Sequence, residues 1–197
     1  MRFSKEEEYL SQKDKKLKKI IDKNGHISFQ PNKKNQFDTL VGIVISQFIS
    51  TKAANSIFKN IRGYFNSEYL NENHFEKLNI NQIKKLGLST NKSKTIKEIS
   101  NFYLNEKNKD LSKLDNETLY QTLLSIFGIG PWSVQMFEIF CLGSLDIFSS
   151  KDAGLRLAMN NLNMVKKGSE WTAYEIYAKR WSPYRTIACI HLWKSVD

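Results

Sequence analysis

Apolar residues recur about every 3.6 positions along almost the whole chain and nowhere alternate with period two. That pattern restricts the fold to packed helices. The spacing predicts a first helix over 5–24, where Tyr9, Leu10, Leu17, Ile20 and Ile21 are separated by lysines, and a loop around Pro31. A buried helix follows over 37–50, since LVGIVISQFIS is apolar on most faces, then a helix over 53–65. Short helices are expected near 75–78 and 81–86, the second stopped by Gly87. Longer ones are expected over 91–105, 115–126 and 131–142, then over about 149–162 with Ser149 or Ser150 as cap, and over 169–180. Ser182 and Pro183 read as the N-cap and first residue of a last helix to about 194. The fold class is all-α, with about ten helices.

A chain of 197 residues, 41% hydrophobic, has enough apolar material for one compact domain or two small lobes. No apolar run approaches the roughly 18–20 residues of a membrane span, so no membrane partner is expected. Two distant cysteines, Cys141 and Cys189, exclude a disulfide scaffold and any four-cysteine metal site. With no secretory h-region near the first residues, the expected compartment is the cytoplasm. His26, His74 and His191 show no metal-ligand spacing, so no transition metal is expected.

Charge is the first functional clue. Thirty Lys and Arg face twenty Asp and Glu, for a net +10. Residues 1–34 hold ten basic against five acidic residues, and 151–197 hold eight against four, while the middle is nearly neutral. Such ends suit a polyanion, because each phosphate neutralised by Lys or Arg releases condensed counterions. A lysine-rich solvated surface would produce the same numbers.

The most informative stretch is 123–137, LLSIFGIGPWSVQMF. Two helices meet at Gly128-Ile129-Gly130, where paired glycines permit positive φ and let successive N–H groups face one anion. Ile129 would pack inward, and Pro131 starts a helix whose positive end favours a phosphate. Pro131 also removes one N–H from the turn. An acidic residue, Asp152, follows some twenty positions on.

These features resemble the helix-hairpin-helix DNA glycosylase superfamily, and within it the chain is similar to the alkylation-repair branch, the DNA-3-methyladenine glycosylase II family. Three blocks carry the likeness: FDTLVGIVISQFISTKAANSIF at 37–58, the hairpin with DIFSSKDAGLRLAM up to 159, and AKRWSPYRTIACIHLWK at 178–194. The resemblance implies two helical lobes with the hairpin and a cleft between them. Residues 36–145 would form one lobe, and 1–35 with 146–197 the second, which carries Asp152.

By the same resemblance Asp152 is the catalytic carboxylate. An ionised carboxylate stabilises the positive charge that builds on C1′ as the glycosidic bond breaks, and it orients or deprotonates the attacking water. Asp146 is the nearby rival, expected to cap or to be solvated. Lyases of the superfamily use a lysine near the hairpin; here Trp132 stands there, which implies a monofunctional hydrolase leaving an abasic site. Trp132 and Trp193 would line the base pocket, their indole faces suited to a cationic base such as 3-methyladenine or 7-methylguanine. Met136 replaces a pocket tyrosine of relatives, while Trp171 and Trp181 read as structural. Phe48 would fill the gap left by the flipped base, with Gln47 against the opposite strand, although a buried phenylalanine fits ISQFIS equally well. Gly128, Ile129, Gly130 and Arg185 complete the expected DNA-binding set.

No organic cofactor is implied, only a monovalent cation, sodium or potassium, at the hairpin when DNA is bound. The implied partner is double-stranded DNA with damaged bases, bound by a monomer associated with the nucleoid. Three readings stay open beside this one: a non-catalytic helix-hairpin-helix DNA-binding module, a helical protein-interaction bundle, and a glycosylase for deaminated purines such as hypoxanthine.

Overall fold

The structure, a computed structural model, describes residues 4–105 and 110–196. Among the described residues every regular element is helical, and no helix is long and apolar enough to cross a membrane. The chain divides into two compact units, Met1–Gln30 with Gly143–Asp197, and Pro31–Leu142. The sequence had suggested breaks at 35/36 and 145/146.

The first expected helix is two, α1 (Lys5–Lys13) and α2 (Lys15–Asn24). Asp14 breaks it by leaving helical geometry and capping α2, its Oδ1 accepting from the N–H groups of Lys16 at 2.8 Å and Leu17 at 3.1 Å. Its Oδ2 accepts from the buried Trp181 indole at 3.0 Å. A fully buried tryptophan needs such an acceptor, which is why a carboxylate sits inside this unit.

The middle unit begins with α3 (Gln36–Ser46), whose Leu40, Val41, Val44 and Ile45 are wholly buried. It is followed by α4 (Thr51–Phe65), capped by Ser50, then α5 (Asn73–Glu76), α6 (Ile80–Lys84) and α7 (Thr90–Asn105). Helix α3 packs on α4, α7 and the later helix Pro131–Phe137, and α7 also takes α5 and α6. Its buried Asp38 is paired with Arg62 at 2.6 Å and accepts from the Leu70 N–H at 2.8 Å. Asp115 caps α8 (Asn116–Leu124), and α9 (Pro131–Phe137) follows the hairpin. The expected helix to 142 changes winding at Glu138: Glu138–Leu142 is a π-helical turn.

The second part of the outer unit holds α10 (Ala153–Asn161), α11 (Trp171–Ala178) and α12 (Arg185–Lys194). Helix α12 packs on α1, α2 and α10. The core joins Leu10, Leu17 and Ile21 to Leu155, Trp181 and Leu192, so the two ends of the unit share one apolar interior. The last helix starts later than the Ser-Pro reading placed it. Ser182 Oγ donates to Asp146 at 2.8 Å instead of capping, and α12 begins at Arg185.

Candidate active site

Asp152 is the N-cap of α10, at φ −69° and ψ 124°, and neither Ser149 nor Ser150 holds that place. Its Oδ1 accepts from the Leu155 N–H at 2.8 Å and from Trp193 Nε1 at 2.9 Å. A carboxylate there faces the positive end of the helix, which stabilises its charge. Gly154 makes the second contact possible. A Cβ on it would stand 3.2 Å from Trp193 Cδ1 and 3.3 Å from Asp152 Oδ1. The sequence reading missed Gly154; its one signal was a glycine in a helix first turn, where it costs helical stability.

The segment leading to Asp152 is tied to the start of α12. Thr186 Oγ1 donates to the Ser144 carbonyl at 2.7 Å and accepts from the Ile147 N–H at 3.1 Å, and the Thr186 N–H donates to the Leu145 carbonyl at 2.9 Å. Arg185 grips Asp146 with Nε to Oδ1 at 2.7 Å and Nη2 to Oδ2 at 3.1 Å, adding a bond to the Asp146 carbonyl at 2.7 Å. Burial pushes the Asp146 carboxyl up, but the hydrogen bonds from Arg185 and Ser182, with the guanidinium charge, outweigh it and hold the group below its ordinary range. Arg185, expected at the DNA, therefore has its guanidinium engaged in bracing this loop, and Asp146 is the anchor of that brace. Ser150 Oγ donates to Glu175 at 2.8 Å, fixing the loop at its other end.

In the middle unit the hairpin carries its own geometry. Gly128 takes φ +82°, and a Cβ there would lie 1.9 Å from Thr95 Oγ1, so only glycine fits. Gly130 does not share that freedom: it is extended, at φ −115° and ψ 177°, and caps α9. Ile129 is buried, as its place between the glycines predicts.

Gln47 and Phe48 close α3 four residues before its expected end. Gln47 Nε2 donates to the Gly128 carbonyl at 3.1 Å and to Ser133 Oγ at 3.0 Å, tying the helix end to the hairpin. Phe48 is fully exposed, at 102%, and holds a left-handed φ of 59°. Burial, the competing reading of ISQFIS, does not occur at this residue. Beside Phe48 lies an open recess of about 300 Å³ lined also by Ser89, Asn91, Lys92, Phe127 and Gly128. Lys92 donates to the Ile45 carbonyl at 2.7 Å, and burial pulls its pKa down.

Trp132 is half-buried at the second position of α9, and Met136, one turn on, is 3% exposed. The structure thus joins Asp152 and Trp193 in one unit, and groups Gln47, Phe48, the hairpin, Trp132 and Met136 in the other. Trp181 is buried, whereas Trp171 is exposed beneath the Lys151 ammonium, 5.4 Å from its ring centre. Burial pushes both cysteine thiols up, Cys141 to about 12, so neither is a nucleophile at neutral pH.

Comparison with known proteins places this geometry. The family model of the HhH-GPD superfamily of base excision DNA repair proteins matches residues 41–183. The DNA-3-methyladenine glycosylase 1 of Schizosaccharomyces pombe is 27% identical over 98% of this chain and 87% of its own length. The alkylbase DNA glycosidase-like protein mag2 of the same yeast is 26% identical, covering 98% and 93%. The solved structure of the S. pombe 3-methyladenine DNA glycosylase in complex with abasic DNA superposes with a TM-score of 0.88 at 26% identity, over 98% of this chain and 96% of that one.

Proposed function

The chain belongs to the HhH-GPD superfamily of base excision DNA repair proteins, and from that premise we propose that it is a monofunctional DNA glycosylase that hydrolyses the N-glycosidic bond of alkylated purines, 3-methyladenine and 7-methylguanine, in double-stranded DNA. The observation that carries the reading is the Asp152 carboxylate, fixed at a helix N-terminus by the Leu155 N–H and the Trp193 indole. It accepts two hydrogen bonds, one of them from the N–H edge of an indole. A carboxylate so placed suits a reaction that develops positive charge on a sugar.

In the proposed reaction the base leaves as the glycosidic bond breaks, Asp152 stabilises the oxocarbenium-like sugar, and water directed by Asp152 adds at C1′. An alkylated base is already a good leaving group, so no strong general acid is needed. No lysine takes part. By resemblance Trp132 stands where a lyase carries its amine, and Lys151 lies over Trp171. Phe48, with its ring wholly in solvent, would enter the base stack, and Gln47 holds that wedge to the hairpin.

Trp132 and Met136 are proposed base-pocket residues on resemblance to the family. Around Gly130 a Cβ would meet nothing within 4 Å, and a sodium or potassium ion between the hairpin and a DNA phosphate is proposed on resemblance to the family. The reading carries with it a monomer working on cytoplasmic, nucleoid DNA.

The test is base release from methylated duplex DNA by the wild type and Asp152→Asn. The substitution keeps the acceptor and removes the charge, so DNA binding survives while release falls on the order of 100-fold or more. Wild-type protein that binds duplex DNA and releases no base, hypoxanthine and uracil included, would make it a binding module.

A further inference from the structure

The indole that donates to Asp152 sits in the last turn of α12, and that turn is held from outside by the first two helices of the same unit. The carbonyls of a helix's last four residues lack intrahelical partners, so such a turn frays unless something caps it. In α12 the Leu192 and Trp193 carbonyls are closed locally, by the Ser195 N–H at 3.1 Å and the Val196 N–H at 3.0 Å, and the His191 carbonyl is capped by Asn24, the last residue of α2, whose Nδ2 donates to it at 2.9 Å and lies 3.3 Å from His191 Nδ1. Lys194 Nζ returns a bond to the Asn24 carbonyl at 3.1 Å. Across the ring, His191 Nε2 meets Glu7 Oε1 at 3.1 Å, with both side chains essentially excluded from water.

One tautomer satisfies both ring contacts, with Nε2–H donating to the carboxylate and Nδ1 accepting from the amide. Burial pushes the His191 pKa down, in keeping with a neutral ring. Glu7 is itself immobilised by the Ser4 and Ile27 N–H groups, at 2.7 and 3.0 Å, and by His26 at 2.9 Å.

We propose that Asn24 is a positioning residue for Asp152: by capping the last turn of α12, it holds Trp193 at the 2.9 Å separation from which the indole orients the carboxylate. The proposal rests on the reading of Asp152 as the catalytic group. Trp193 lies two residues past His191, inside the turn that Asn24 caps. The indole has one seat. Gly154 leaves it just enough room, with contacts of 3.2 and 3.6 Å to the place a Cβ would occupy. A shift in the end of α12 therefore breaks the bond to Asp152. A displacement near 1 Å in a reacting group costs on the order of 100-fold.

The experiment measures single-turnover base release, DNA affinity and the Trp193 indole N–H resonance, assigned with Trp193→Phe, at a temperature where each variant is fully folded. Asn24→Ala removes the cap. Asn24→Asp keeps the shape but cannot donate to a carbonyl. Both are expected to bind DNA as the wild type does, to release base roughly 10- to 100-fold more slowly, and to move the Trp193 resonance. Wild-type release rates in both variants, or slow release with that resonance unmoved, would overturn the positioning role. A wild type that releases no base while Asn24→Ala moves the resonance would instead overturn the catalytic reading on which the proposal stands.

Discussion

The two glycines that flank Ile129 in the hairpin should respond very unequally to the same substitution. Gly128 adopts φ +82°, where an alanine is strained by roughly 1–2 kcal/mol. Its new Cβ would also lie 1.9 Å from Thr95 Oγ1 and 3.0 Å from Thr95 Cβ and Cγ2. Thr95 is buried in α7 and donates to the Asn91 carbonyl, so it cannot swing aside freely. Overpacking of this kind costs about 1–3 kcal/mol. Gly128→Ala should therefore destabilise the protein by about 2–5 kcal/mol, which for a chain of this size lowers Tm by roughly 4–20 °C. Gly130 is extended and meets nothing within 4 Å, so Gly130→Ala should stay within about 0.5 kcal/mol of the wild type. Thermal unfolding followed by far-UV circular dichroism separates them. Adding Thr95→Ala to Gly128→Ala removes the closest atom and should recover part of the loss, a coupling on the order of 1 kcal/mol. Equal shifts for the two glycines, or a strictly additive double mutant, would refute the steric argument.

Other consequences are as accessible. Phe48→Gly relieves a left-handed backbone at a fully exposed site, so it should raise stability by about 1 kcal/mol in urea unfolding. The same change should slow base release about 10- to 100-fold, because a stacked aromatic contributes about 1–3 kcal/mol. Gly154→Ala should leave the fold intact but push the Trp193 indole by a few tenths of an ångström, lowering single-turnover release without weakening DNA binding. Stability should also fall in acid. Burial opposes ionisation of Glu7, yet its hydrogen bonds from His26, Ile27, Ser4 and His191 prevail and hold its pKa at about 2, against 4.5 unperturbed. A depressed carboxyl contributes stability above pH 4.5 that is lost as the pH drops toward 2, here about 3 kcal/mol. His191, lowered by burial, adds a loss of the same sign beginning below pH 6.5. Urea midpoints against pH should show this acid limb, flattened in Glu7→Gln.

What the sequence made legible was whatever local chemistry decides. Helical periodicity placed α3, α4, α7 and α8 to within a few residues, and Gly-Ile-Gly-Pro placed the hairpin, because turn and cap preferences are set by the residues themselves. Asp152 stood out through the resemblance to the helix-hairpin-helix glycosylases, since an aspartate in a helix first turn is otherwise read as a dipole partner. The features that escaped depend on partners far away in the chain. Asp14 interrupts an amphipathic helix to meet Trp181, 167 positions on. Phe48 leaves the helix because Gln47 bonds to the hairpin, and Arg185 serves Asp146 through a loop whose path only packing reveals. Gly154 matters only because of Trp193. No composition or spacing rule carries such pairings.

The composition of the outer unit sets the order in which the molecule can be made. Leu10, Leu17 and Ile21 of the first two helices are buried against residues of α10 and α12, so they have no partner until those helices have been translated. At about 5–20 residues per second, α1 and α2 wait many seconds with their apolar stripes uncovered, while residues 31–142 can already assemble as a unit. The lysines that alternate with those stripes keep the waiting segment solvated. A ribosome stalled before α12 would therefore carry a finished middle unit and an unclosed outer one. That nascent chain could present Gln47, Phe48 and the hairpin, but not a braced Asp152.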